Sequence, residues 1–126
     1  MTDMAIDQRS FMYNGNQTIH EHNDIQIKLY ASLILEEVSE LGEALDKKED
    51  SEILKEAVDV IVVTLGLMWS FGVDPSDVWE LVHKNNMSKV LNQDAIVKDI
   101  NGKIMKSPES IKRKADMMKG IKELLK

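Results

Sequence analysis

Residues 33–45, LILEEVSELGEAL, and residues 54–66, LKEAVDVIVVTLG, decide how this chain folds. Residues three or four apart share a helix face, so Glu37 and Glu40 point together, as do Glu36 and Glu40, and Glu56 and Asp59. Two such helices side by side bring four or five negative charges into one small volume. Like charges about 4 Å apart repel by roughly 1 kcal/mol per pair in water, and by more in a protein, so the cluster calls for a cation. Hard divalent cations favour all-oxygen ligands of this kind, which makes the chain a candidate magnesium protein, with manganese as the alternative ion.

Working outward, Asn23 or Asp24 is a suitable cap for a helix over residues 25–45, where Ile25, Leu29, Leu33, Leu35, Val38, Leu41 and Leu45 recur at helical spacing. The polar run 46–50 is a turn, and Asp50 or Ser51 caps a third helix reaching about Phe71, ended by Gly72. From Ala57 onward that helix is apolar on every side. A helix of this kind needs cover all round, so we expect a helical dimer or larger assembly with it at the interface. Residues 2–13 suit a short helix with Ile6, Phe11 and Met12 as its contacts. Asp74-Pro75 and Ser107-Pro108 are cap-then-proline signals for helices to about Asn85 and Leu125. Between them Asn101-Gly102 predicts a small hairpin over about 95–106.

A chain of 126 residues with 43% hydrophobic and 30% charged content fits a single domain with a modest core, about 24–91. Absence of cysteine excludes disulfides and thiolate chemistry and fits a cytoplasmic protein. MTDMAIDQRS does not read as a secretory signal, and the longest apolar stretch, 60–73, is shorter than the roughly 20 residues of a membrane span, so no membrane partner is expected. The net charge of −6 hides an asymmetry: residues 36–59 carry ten acids and three bases, residues 84–126 eleven bases and five acids. Such a chain can hold a cation at one end of a site and an anion at the other, although solvated surface has the same composition. The bases are interspersed with acids and lack interleaved aromatics, so no nucleic-acid partner is expected.

An EExxE triplet alone is common on exposed helix faces. Its pairing with ExxD carries more weight, because Asp59 stands among Ala57, Val58, Val60 and Ile61, where an uncompensated charge is costly. An ion pair with Lys55 would account for Asp59 and leave Glu37, Glu40 and Glu56 unexplained. Glu80 and His83 form a single ExxH where di-iron bundles need two, and His20 and His22 read as surface histidines rather than a zinc site. Trp69, Phe71 and Trp79 lie on apolar stripes and read as core, with base stacking the lesser alternative. No GxxxxGK is present, so phosphate contacts must come from metals and basic side chains.

EExxE, a spacer, then ExxD, followed by VHKNNMSKV at 82–90, resembles the all-alpha nucleotide pyrophosphohydrolases, the superfamily of MazG-like and phosphoribosyl-ATP pyrophosphohydrolase-like proteins. The resemblance covers roughly residues 24–106. It implies an all-α helical bundle assembled as a dimer or tetramer, and magnesium-dependent hydrolysis of a nucleoside triphosphate to monophosphate and pyrophosphate. Glu37, Glu40, Glu56 and Asp59 would then be metal ligands, and Glu36 and Glu37 would serve catalysis, Glu36 towards a further metal or the attacking water. Lys84, Asn86 and Lys89 would face the phosphates or the nucleotide. Phosphoribosyl-ATP is an alternative substrate, and a non-enzymatic acidic interaction module is the alternative of another class.

Overall fold

Asn23 starts the longest helix by accepting a hydrogen bond from the Gln26 amide at 3.0 Å, a side-chain cap for an otherwise orphaned donor. A computed structural model describes residues 3–91 and 96–126 of the chain. One compact unit, Met1–Pro75, holds α1 (Met4–Asn14), α2 (Asp24–Lys47) and α3 (Asp50–Ser70). A second, Ser76–Lys126, holds almost all of α4 (Pro75–Met87) and α5 (Pro108–Leu124). The described residues are helical throughout apart from turns and loops, as an all-α fold requires. Among the described residues, no single helix is long and apolar enough to cross a membrane.

The α2–α3 hairpin sets the register of the first unit. Gln26 Nε2 donates to Ser70 Oγ at 2.9 Å, and one turn further along α2 the Tyr30 ring lies directly against Gly66. Continuing the same antiparallel step, Glu37 and Glu40 come level with Asp59 and Glu56. The packed face of α2 therefore runs through Gln26, Tyr30, Leu33, Glu37, Glu40 and Ala44. Of the stripe expected inside, Ile25, Leu29, Val38 and Leu45 are 84, 46, 49 and 52% exposed. Helix α2 carries two apolar surfaces, and only the one centred on Tyr30 meets α3.

Tyr30, Val63 and Trp69 join Ala5, Met12 and Ile19 in one core cluster, with Leu33, Ile34 and Leu67 packed around it. Helix α1 is held there by Trp69 Nε1, which donates to the Ala5 carbonyl at 3.0 Å. Met12 is fully buried as expected, but Ile6 and Phe11 are exposed, and Gln8 and Ala5 take the inward positions. Glu49, not Asp50 or Ser51, stands at the start of α3 and makes no side-chain cap bond. The turn after Lys47 is only two residues long, so Asp50 is already in the first helical turn, where its charge favours the positive helix end. Gly72 ends the segment in the left-handed region, φ +77°, against the Glu21 backbone.

In the second unit α5 begins with a capping box between Ser107 and Ser110, and Ser107 Oγ also donates to the Ser88 carbonyl at 3.1 Å. The expected hairpin does not form; the described residues show one antiparallel bridge, Lys98 to Ile104, and no strand. Its start at Ala95 lies outside the described residues. Gly102 does turn the chain with φ +85°, yet the Asp99 carboxylate accepts from the Asn101 and Lys103 amides at 2.8 and 3.0 Å. That side chain organises a tight loop, and Ile100, 99% exposed, gives the flanking segments nothing to pack on.

Candidate metal and substrate site

Level with each other in the α2–α3 seam, Glu37, Glu56 and Asp59 each offer one carboxylate oxygen, and these three atoms all lie within 4.8 Å of one another. Each residue is half-buried, since the helix pair covers one side of the group and leaves the other open. Glu40 stands beside the triad, close enough to Glu37 to raise its pKa, and lines an open pocket with Glu43, Lys47, Glu52, Lys55 and Glu56. Partial burial first, and then the neighbouring charges of Glu40, Asp59 and Glu56, push the Glu37 carboxyl up to about 7.

Lys55 supplies part of the compensating charge. Its Nζ is 2.7 Å from Asp59 Oδ2, one helical turn on, and 3.4 Å from Glu56 Oε1. These acceptors in turn hold the Lys55 ammonium well above its ordinary range. Its side chain is largely exposed, and it does not reach the inner oxygens: Glu37 Oε2 and Glu56 Oε2 are buried with no hydrogen-bond partner. A buried carboxylate oxygen left unpaired is costly, and two on neighbouring members of one acidic cluster suit a hard divalent cation. The donor set present thus fits magnesium by oxygen chemistry and by its unsatisfied atoms.

Of the residues expected at the site, Glu37, Glu56 and Asp59 are brought together and Glu40 stands next to them. Glu36 is exposed and outside that group. Lys84, Asn86 and Lys89 belong to the second unit: Lys84 lines one pocket there, Asn86 and Lys89 another, with Lys89 Nζ 3.4 Å from Asn86 Oδ1. His20, His22, Glu80 and His83 are all exposed, and His22 Nε2 pairs with Asp24 at 2.6 Å. Trp69 is core as expected, but Trp79 is 72% exposed and stacks on His83 at 6.3 Å between ring centroids.

Gly66 and Tyr30, which fix the seam, escaped the sequence analysis; a lone glycine in an apolar helix facing an aromatic was the available signal. Comparison with known proteins adds the family: the model of the phosphoribosyl-ATP pyrophosphohydrolase family matches residues 4–86, which include α1, α2, α3 and most of α4. No curated protein matches the chain.

Proposed function

The chain belongs to the phosphoribosyl-ATP pyrophosphohydrolase family, and from that premise we propose that it hydrolyses the α–β anhydride of a nucleoside triphosphate, with magnesium, to a monophosphate and pyrophosphate. The observation that carries this proposal is the carboxylate triad of Glu37, Glu56 and Asp59, with two of its inner oxygens unpartnered. Magnesium held there supplies neutralisation of phosphate oxygens and makes water a better nucleophile.

Glu37, Glu56 and Asp59, with Glu40 beside them, hold the cation and fix its place along the seam. Glu37 serves both roles: one carboxylate oxygen holds the cation, and the other is left to accept a hydrogen bond from the attacking water. Glu36, exposed and next to Glu37 in α2, orients that water, and Lys84, Asn86 and Lys89 bind the nucleotide. No protein nucleophile is needed. The outer face of α3, where Leu54, Val58 and Ile61 are 69, 56 and 42% exposed, supports self-association into a dimer or tetramer.

A second substrate, phosphoribosyl-ATP, is favoured by the family match itself, since it carries the same triphosphate. Rates of pyrophosphate release decide between them: kcat/KM is measured on a panel of nucleoside triphosphates and on phosphoribosyl-ATP, each with magnesium and with chelator. Absence of pyrophosphate from every substrate would refute the proposal.

A further inference from the structure

Lys55 divides the oxygens of the acidic cluster into an outer and an inner set. Its Nζ lies 2.7 Å from Asp59 Oδ2 and 3.4 Å from Glu56 Oε1, so one ammonium joins two carboxylates of α3. Residues 55 and 59 are one turn apart, and the helix itself keeps the ammonium there without help from any other element. The other oxygen of Glu56, Oε2, is buried with no hydrogen-bond partner among the described residues, and so is Glu37 Oε2. These inner oxygens are open to a metal ion, while the outer pair already has a cation.

Two-metal sites hold their ions about 3.5–4 Å apart, a spacing that one carboxylate spans with its two oxygens. Glu56 is placed to be such a bridge, with Oε2 inward and Oε1 outward, but Lys55 stands at the outward end. Magnesium takes its oxygen ligands at about 2.1 Å, so on Glu56 Oε1 and Asp59 Oδ2 it would meet the ammonium at close range. Like charges repel there more strongly than in water, because Glu56 and Asp59 are only 15 and 30% exposed. Beyond Lys55 the open pocket of about 430 Å³ includes Glu40, Glu43 and Glu52, so oxygens for a second ion are close by once the ammonium is removed.

We propose that Lys55 is a resident cation that keeps this site mononuclear: it stands where a second divalent ion would bridge Glu56 and Asp59, so the substrate-free chain binds a single magnesium ion. This role rests on the metal site proposed above and goes beyond it in assigning the number of ions to one side chain. Lys55 is thus a positioning residue, fixing the outer oxygens of two ligands and leaving the inner ones to the metal.

The test counts bound manganese, which takes the same oxygen ligands, from the EPR signal of the free ion as it is titrated into the full chain without substrate. The wild type is expected to bind one ion, with any second at least tenfold weaker. Lys55→Met and Lys55→Gln remove the charge of a side chain that is 67% exposed, so the fold should persist, and each variant should bind two ions with affinities within tenfold of each other. Lys55→Arg restores the charge and should return the count to one, which loss of the lysine's packing alone would not do. Two ions of similar affinity on the wild type, or a single ion on both neutral variants with circular dichroism still helical, would overturn the role of Lys55 and leave the metal site standing. A wild type that binds no manganese would overturn the metal site, and the role of Lys55 with it.

Discussion

The ring of Tyr30 occupies the space that a side chain at position 66 would need, so α2 and α3 meet at this level only because residue 66 is glycine. Two turns further along the same seam the carboxylates come together. Gly66→Ala forces a methyl into the Tyr30 ring and should cost about 1–3 kcal/mol of stability, as overpacking does. Magnesium affinity should fall with it, since the acids share the register. Tyr30→Ala in the Gly66→Ala background should recover part of the loss; a double-mutant cycle from urea melts with no coupling between the two positions would contradict the close approach.

Replacing one acid should separate metal binding from folding. Glu56→Gln and Asp59→Asn each remove a ligand and relieve like-charge repulsion, so the metal-free melting temperature should hold or rise. What should disappear is the stabilisation by magnesium, which for the wild type is about 2.7 kcal/mol at a hundredfold excess over Kd. Thermal melts with and without magnesium check this, and an undiminished magnesium shift in both variants would remove the triad as the binding site.

Acidity gives a third expectation. Because the folded chain raises Glu37 from 4.5 to about 7, its contribution to stability is fully present below about 4.5 and is lost as pH rises through about 7. In chelator, this group should make the chain less stable at pH 8 than at pH 5.5. Protons and magnesium compete for the same oxygen, so apparent magnesium affinity should rise with pH up to about 7 and then level off. Calorimetric titrations at pH 5.5, 7 and 8 giving one affinity would count against that competition.

Self-association is tested on the face of α3 away from the acids. Val58→Glu with Ile61→Glu places two charges on the exposed stripe, so sedimentation should show a smaller species than the wild type. Their surroundings are solvent in the isolated chain, and circular dichroism should remain helical. An unchanged sedimentation coefficient, or a wild type that is already monomeric, would oppose assembly through this face.

Helix positions were largely legible from the sequence because caps, prolines and glycines mark ends chemically, as at Asn23, Pro75, Gly72 and Ser107. Faces were less legible. An apolar residue is read as inward, but α2 offers two apolar surfaces and turns Gln26, Glu37 and Glu40 toward its neighbour while leaving Ile25 outside. The triad survived that error because its evidence was charge spacing, which any packing of the two helices as neighbours had to resolve. Trp79 and the loop at 98–104 failed for a different reason: each depends on whether another surface exists to cover it, which local pattern does not encode.

Phosphorus NMR of the products formed from a nucleoside triphosphate in magnesium separates cleavage at the α–β anhydride from cleavage at β–γ. Pyrophosphate and nucleoside monophosphate appearing together with the wild type, and neither with Asp59→Asn, is the expected result. Orthophosphate and nucleoside diphosphate, or the same products at the same rate from the variant, would contradict a pyrophosphohydrolase built on Glu37, Glu56 and Asp59.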